Sequence, residues 1–268
     1  MNYTLVSNGR RIACAVSGRP KNAVPLVLLH GFCEDSSVWE PLLPAFADMP
    51  LIRIDLPGFG KSDLPLSPGM DTAADAVCTV LNELGIEQCV LAGHSMGGYV
   101  ALPFAQKYGE RLAGLGLVHS HPYEDSAARK ENRQRGIDMI GSGKKDLYVA
   151  QLFPGLFAPA FVEKHPETVQ ALIRQGQLQQ AEGIIAALQG MIARPNHLDT
   201  LRRIACPVLF ILGELDAIIP PEWALAAAHL PQLSDIHLLD GVGHMGMFEA
   251  GAQTAEALQR FRQFCGGR

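Results

Sequence analysis

The sequence predicts an α/β protein with a mostly parallel central sheet flanked by helices. Six short runs, apolar on both faces, are typical of strands buried in a parallel sheet. Helical patterns separate several of these runs, and this alternation favours helices on both faces of the sheet. The 268 residues, 48% hydrophobic and 18% charged, suffice for a sizeable core and argue against disorder.

The predicted strands begin with a hairpin. The segment YTLVSNGRRIACAVSG holds two β-compatible runs around Asn8-Gly9, a strong turn signal, so we expect an antiparallel pair at one edge of the sheet. The buried runs that follow are PLVLLHGF, PLIRIDLPGFGKSD, CVLAGHSMGG, LAGLGLVHS, CPVLFILGELD and SDIHLLDGVGH.

Two helices are predicted between these strands. DTAADAVCTVLNELGIE has apolar residues at helical spacing and is expected to end at Gly85. YVALPFAQKYGE follows Ser95, and Pro103 inside it marks either the first turn or a kink.

Residues 121–197 contain no convincing strand. A helical insertion, longer than an ordinary connection, is predicted after LAGLGLVHS, the sixth strand when the hairpin counts as two. Its helical segments are EDSAARKENRQRGIDMI, PETVQALIRQG and LQQAEGIIAALQGMIARPN. Extra helical packing is one interpretation; we favour a cap over the ends of the strands. The expected organisation is a core of residues 1–120 and 198–268 with a cap at 121–197.

The segment LAGHSMGGY places Ser95 between Gly93 and Gly97 in a G-x-S-x-G pattern. This pattern is typical of a nucleophile elbow, a strained strand-to-helix turn that exposes the serine hydroxyl. The turn brings its flanks together, so glycine avoids a clash on either side of the serine. The helix that follows directs N–H groups at developing negative charge.

A serine hydroxyl is a poor nucleophile unless a base removes its proton and an acid orients that base. Asp216 and His244 follow two of the later strands, where loops leave the carboxyl ends of the sheet. The order serine, acid, histidine is the one expected for this pattern. Glu214 leaves the same strand as Asp216 and remains an alternative acid.

Acyl transfer also needs donors for the oxyanion. The backbone N–H of Met96, directly after the serine, is the first candidate. The second is the N–H of Phe32, because His30-Gly31-Phe32 bends the chain after the first buried strand.

The assembled motifs resemble the α/β-hydrolase superfamily, in particular its capped serine esterases and haloperoxidase-like members. HGF, RIDLPGFGKSD, GHSMGGYVAL, CPVLFILGELD and GVGHMGMFE stand in the family's order and cover nearly the whole chain. The resemblance implies the α/β-hydrolase fold, with Ser95 as nucleophile, Asp216 as acid and His244 as base. Members that act on epoxides or haloalkanes use an aspartate nucleophile, so Ser95 argues against both activities.

The expected reaction is two-step hydrolysis of an ester or similar carbonyl through an acyl-enzyme, with no cofactor. Carbon–carbon bond hydrolysis, acyl transfer or perhydrolysis on the same scaffold is the alternative, since fold does not determine reaction. A ligand-binding receptor with a slow triad is a further one.

The sequence predicts the residues of the substrate pocket less precisely than the candidate catalytic residues. Apolar residues of the cap either line a pocket for small or medium apolar substrates or form the core of the cap itself. The candidate substrate-binding residues are His30, Cys33, His119, His121, Phe153, Phe157 and Met191.

Composition argues against other classes. The net charge of −5 and pI near 6.0 favour neither nucleic acid nor an anionic membrane as partner. The N-terminus does not resemble a signal peptide and no apolar run is long enough to span a membrane, so a cytoplasmic protein is expected. The six cysteines are scattered and predict reduced thiols, and the nine histidines form no metal-binding pattern.

Overall fold

The computed structural model describes residues 2–7, 9–18 and 23–267. Its centre is one eight-stranded sheet in the order β1-β2-β4-β3-β5-β6-β7-β8. The strands are β1 Asn2–Ser7, β2 Arg10–Ser17, β3 Leu26–Leu29, β4 Leu51–Ile54, β5 Cys89–His94, β6 Leu112–Val118, β7 Val208–Gly213 and β8 Ser234–Leu239.

The pairing confirms the predicted sheet. β1 and β2 form an antiparallel hairpin at one edge, and β2 is antiparallel to β4. The remaining strands are parallel, so their carboxyl ends meet at one edge. Asn8 of the predicted turn lies outside the described residues, while Gly9 has φ +76°.

One strand differs from the prediction of a fully buried sheet. Among the described strands β8 pairs only with β7, and its Ile236 and Leu238 side chains are 45% and 52% exposed. An apolar run does not determine its place in the sheet, and at the edge one face of this run meets solvent.

The helices of the core form two packed groups beside the sheet, one with α1 against α2 and one with α11 against the 3-10 helix Ser36–Phe46. Pro103 lies inside α2, which excludes the first-turn interpretation and leaves the Tyr99 carbonyl without its usual helical donor. The core helices are α1 Met70–Glu83, α2 Met96–Lys107, α9 Pro221–Ala227, α10 Gly246–Glu249 and α11 Gly251–Gly266, with a 3-10 turn at Gly109–Arg111.

Between β6 and β7 the chain is helical, as expected. Its elements are α3 Ala127–Gly141, α4 Lys145–Leu152, a 3-10 turn Phe153–Leu156, α5 Pro159–Lys164, α6 Pro166–Gln177, α7 Ala181–Ala193 and α8 Leu198–Arg203. The predicted boundary at 197 falls before α8, and the division into core and cap remains a prediction. No helix among the described residues has both the length and the apolar character needed to cross a membrane.

The insertion contacts the core through backbone as well as side chains. α7 packs on α1, and Gly183 in α7 lies directly against Gly58 in the loop after β4. Gln175 and Gln179 both donate hydrogen bonds to Asp35, at 3.0 and 3.1 Å. These contacts hold one side of the insertion against the loops that follow β3 and β4.

A methyl group at Gly183 would overlap the Gly58 carbonyl oxygen. We expect Gly183→Ala to lower the free energy of unfolding by about 1–3 kcal/mol, because α7 must move away from the core. Thermal unfolding monitored by circular dichroism measures the effect. Gly141→Ala is the matched control, since nothing lies within 4 Å of that position; equal stability of the two variants would contradict the prediction.

Candidate active site

Ser95 occupies a sharp turn between β5 and α2, with φ 50°. A side chain at Gly93 would overlap the backbone of Gly97, and one at Gly97 would lie 2.6 Å from the Leu29 carbonyl oxygen. Positive φ is uncommon for a non-glycine residue and indicates local strain that the surroundings must hold. The two glycines therefore let the turn close and let the start of α2 touch the end of β3.

Two hydrogen bonds fix the backbone of this turn. The Ser95 N–H donates to the Val118 carbonyl at 2.9 Å, and the Ser120 hydroxyl donates to the Ser95 carbonyl at 2.8 Å. Ser120 was not among the residues singled out from the sequence. Its contact crosses from β5 to the loop after β6, and no local pattern marks it.

Asp216 and His244 lie together at the carboxyl edge of the sheet. His244 Nδ1 is 2.7 Å from Asp216 Oδ2, and both side chains are buried. Asp216 Oδ1 accepts the N–H groups of Ile218 and Ile219 at 2.9 and 2.8 Å. Burial alone would raise the pKa of Asp216, but the neighbouring His244 and His119 imidazoles lower it. Asp216 is therefore ionised, and the His244 Nδ1 carries the proton of their hydrogen bond.

Glu214, the alternative acid, lies elsewhere. Its side chain is exposed, and it accepts the N–H of Gly241 at 2.9 Å. It contacts the turn before His244 rather than the imidazole.

Ser95 and His244 line one cavity of about 90 Å³. Among residues 23–267, no hydrogen bond joins the Ser95 hydroxyl to the His244 ring. Such bonds are often long in unliganded enzymes and shorten when substrate is bound. Ser95 and His244 therefore lie at the same cavity, and the buried Asp216 is adjacent to it because it contacts His244.

Of the two predicted oxyanion donors, Phe32 lines this cavity and Met96 directly follows Ser95, which lines it. Met96 is the first residue of α2, and N–H groups in the first turn of a helix have no intrahelical acceptor. Phe32 follows Gly31 in the loop after β3 and contributes its ring to the cavity wall. The backbone contact between Gly97 and Leu29 brings the start of α2 close to this loop.

A buried pair behind the turn, Glu34 and His94, was not predicted. His94 Nδ1 is 3.1 Å from Glu34 Oε2, and His94 Nε2 is 2.9 Å from the His244 carbonyl oxygen. Both ring nitrogens thus face acceptors, so both must carry protons. Glu34 also accepts the Gly31 N–H at 2.6 Å. The pair connects the Phe32 loop, the serine turn and the His244 loop.

The pKa values support an ionised pair. Burial by itself would lower the pKa of His94, but the Glu34 carboxylate raises it above the ordinary value. Burial likewise opposes ionisation of Glu34, and the His94 charge, with the Gly31 N–H, lowers its pKa. The sequence places His94 beside Ser95 and Glu34 two residues after Phe32. Asp35, Ser36 and Ser37 follow Glu34 directly, so no local pattern marks Glu34 as the partner of His94.

His119 lies next to the acid, with φ 47°. Its Nδ1 is 3.4 Å from Asp216 Oδ2, without the alignment of a hydrogen bond. Burial lowers the pKa of His119 to about 4, so the ring is neutral at neutral pH and forms no ion pair. Ligand atoms of His119, Asp216 and His244 lie within 4.8 Å of one another. A metal ion there would have to replace the proton that His244 shares with Asp216.

Of the candidate substrate-binding residues, Met191 lines the cavity. His121 lies one contact behind it, with Nε2 3.1 Å from the Tyr99 hydroxyl that does line it. His30 accepts the Leu56 N–H, Phe157 stacks on Phe161, and these side chains serve packing and loop geometry.

Cys33 and Phe153 also lie outside the cavity wall, close to each other in the interior. Burial raises the pKa of the Cys33 thiol well above its ordinary value, which disfavours the nucleophilic thiolate. His119 lies behind Asp216, so of the seven candidates only Met191 lines the described cavity, and a role of the others in substrate binding stays a prediction. These apolar and imidazole groups pack beneath the site, because the insertion buries them against the core.

The remaining wall combines apolar and charged groups. Larger surface clefts of about 320 and 680 Å³ contain neither Ser95 nor His244. The apolar part of the 90 Å³ cavity comes from Phe32, Leu152, Leu156, Met191 and Ile218, and the polar part includes Tyr99, Arg129, Arg133 and Tyr148.

A serine at the sharp turn after the fifth strand of such a sheet is typical of α/β proteins that have a nucleophile elbow. The chain belongs to the alpha/beta hydrolase family, whose model matches residues 26–257. A solved thermophilic esterase from Thermogutta terrifontis, with malate bound, is 31% identical and superposes with a TM-score of 0.92 over 99% of both chains.

Two curated relatives have lower sequence identity to this chain than that esterase. Lipase 1 from Psychrobacter immobilis is 26% identical over 268 residues, which are 96% of this chain and 82% of the lipase. The biotin biosynthesis bifunctional protein BioHC from Cellvibrio japonicus is 28% identical over 249 residues, 88% of this chain. The chain spans about half, 47%, of that bifunctional protein.

The Glu34–His94 pair predicts a pH-dependent stability. His94 contributes fully below its ordinary pKa of 6.5, and this contribution is lost as pH rises through the raised folded value. Glu34 contributes fully above its ordinary 4.5, and this contribution is lost as pH falls through the lowered folded value. The difference in unfolding free energy between wild type and Glu34→Gln should therefore be largest between pH 4.5 and 6.5.

Urea unfolding of both proteins from about pH 4 to about pH 9 measures this difference. Glu83→Gln, at an exposed position of α1, is the matched control and should remain parallel to wild type. A difference for Glu34→Gln that is constant with pH would contradict an ionised pair.

Proposed function

We propose that the protein is a serine hydrolase that cleaves a carboxylic ester of a small to medium substrate. Ser95 is the nucleophile, His244 the base and Asp216 the acid. The observation that carries the proposal is the 2.7 Å contact between His244 and Asp216 beside the strained turn at Ser95. An esterase and a lipase among the relatives favour an ester as substrate.

In the first step His244 Nε2 accepts the proton of Ser95 as the serine Oγ attacks the ester carbonyl. Because Nδ1 donates to Asp216, Nε2 is the ring nitrogen left to act as acceptor. The carboxylate stabilises the imidazolium that forms and keeps this tautomer. The N–H groups of Met96 and Phe32 donate to the oxyanion, each worth roughly 100- to 1000-fold in rate.

Collapse of the intermediate breaks the ester C–O bond, and His244 donates its proton to the departing alcohol. Water then attacks the acyl group on Ser95, with His244 again as base, and releases the acid. The size of the cavity favours small acyl groups. Its volume of about 90 Å³ is well below the ~300–1,000 Å³ typical of sites for drug-sized ligands.

Ser95→Ala should reduce hydrolysis of p-nitrophenyl acetate and butyrate by at least about 1000-fold, because no acyl-enzyme can form. Labelling by a fluorophosphonate should be lost in parallel. Ser142→Ala, at the end of α3, is the control and should retain both. Labelling of wild type without turnover would instead favour the receptor alternative, and labelling retained by Ser95→Ala would refute the assignment.

The two carboxylates after β7 can be separated by matched amide variants. Asp216→Asn should lower kcat by about 10,000-fold, because the amide does not hold the required imidazole tautomer. Glu214→Gln should change kcat by no more than about twofold, as expected for a surface substitution. Steady-state kinetics on one ester measure both, and a larger loss in Glu214→Gln would reverse the assignment of the acid.

A further inference from the structure

Two arginines of α3 line the same cavity as Ser95 and His244. Arg129 and Arg133 are four residues apart, so they lie on one face of the helix. Both side chains are partly buried. Guanidinium groups beside a proposed nucleophile are unnecessary for an apolar substrate, and their charges therefore require an explanation.

The negative charge of the nearby Asp125 carboxylate is already shared by two arginines. Asp125 is buried and accepts Arg133 Nε at 2.5 Å and an Arg194 guanidinium nitrogen at 2.8 Å. Arg194 in turn lies over the Tyr99 ring at 3.9 Å from its centroid. One carboxylate thus serves two guanidinium groups, which leaves the cluster positively charged.

Arg129 adds a third positive charge. Its guanidinium lies 4.5 Å above the Trp223 ring, and one N–H donates to the Ile218 carbonyl at 2.5 Å. In residues 2–7, 9–18 and 23–267, no carboxylate lies within ion-pair distance of it. Arginine has five N–H donors, so most of those of Arg129 are available.

Electrostatics around Arg129 favour an anion. Burial lowers the pKa of Arg129, and the charges of Arg133 and Arg194 act in the same direction, while Tyr99 and Asp125 oppose them without reversing the shift. A partly buried charge without a counterion is costly, and a bound anion would reduce that cost.

Glu34, an acidic residue that lines the cavity, does not serve as the counterion of Arg129. Glu34 lines the wall, but its Oε2 contacts His94 and the Gly31 N–H. Its charge is balanced by the His94 imidazolium, so it neither pairs with the arginines nor strongly repels a second carboxylate.

We propose that Arg129 and Arg133 bind a carboxylate of the substrate, so that the ester cleaved at Ser95 carries an acidic group. This inference rests on the proposed ester hydrolysis. A planar guanidinium matches a carboxylate with two parallel hydrogen bonds, and both Arg129 and Arg133 line the cavity. The apolar side chains of Leu156 and Met191 line the same small space, which suits a short carbon chain between the two functional groups.

The first experiment compares monoethyl succinate with ethyl butanoate, two esters of the same acyl length that differ in one carboxylate. Wild type should have the higher kcat/KM for the succinate ester in a pH-stat assay. Arg129→Met should lower the ratio of the two kcat/KM values by about 10- to 100-fold, the effect expected for losing a charge-assisted contact. Arg135→Met, exposed on the same helix, is the control and should keep the wild-type ratio.

The second experiment measures binding without turnover. Trp223 lies under Arg129 and is one of two tryptophans in the chain, so its fluorescence should respond to an anion bound there. Succinate should change the emission of wild type at lower concentration than butanoate, and Arg129→Met should lose this preference.

The outcomes separate the two proposals. If neither ester is hydrolysed but succinate still binds in preference to butanoate, the ester chemistry is wrong and the carboxylate site stands. If both esters are hydrolysed and Arg129→Met keeps the wild-type ratio, the carboxylate site is wrong and the ester chemistry stands. Equal responses of Trp223 to succinate and butanoate in wild type would also overturn the site.

Discussion

The arrangement of the whole site depends on the absence of side chains where three backbone segments meet. The end of β5, the start of α2 and the end of β3 approach so closely that a Cβ atom at Gly93 or Gly97 would overlap neighbouring backbone. The positive φ of Ser95 is tolerated because this contact and the hydrogen bond from Ser120 hold the turn on both sides. The same closeness brings the Phe32 loop towards the N-terminus of α2.

The Glu34–His94 pair adds a polar connection to this backbone contact. Its buried ions would be unfavourable if either partner were alone, and together they satisfy the Gly31 N–H and the His244 carbonyl. Main-chain atoms of the candidate oxyanion loop and the candidate base loop are thereby linked, the first through the Glu34 carboxylate and the second through the His94 imidazolium. Loops at the carboxyl edge of a sheet are otherwise the more mobile part of such folds.

The sequence predicted the sheet well because buried strands are encoded locally, as short apolar runs. It also indicated Ser95, Asp216 and His244, since each follows such a run at a strand exit. It did not predict that β8 is half exposed, because the position of a strand in the sheet depends on its neighbours. The contact between Glu34 and His94 spans 60 residues and has no local pattern.

The substrate wall was the least predictable part. Apolar residues such as Phe153 and Phe157 are equally suited to a pocket or to the interior of the insertion, and packing placed them in the interior. Arg129 was not among the residues singled out from the sequence, and it lies in a helix rich in polar residues. Only the packing of α3 on α7 and the core turns that charge towards the cavity.

The turn at Ser95 has a consequence for how such a chain can diverge. Its geometry is held by main-chain contacts and by the glycines beside it, while the Ser95 side chain makes no hydrogen bond within residues 23–267. Another small nucleophile could therefore replace the serine without rebuilding the turn, whereas any mutation of Gly93 or Gly97 would displace backbone. A single mutation can therefore change the reacting atom, whereas the backbone geometry around that atom must be conserved.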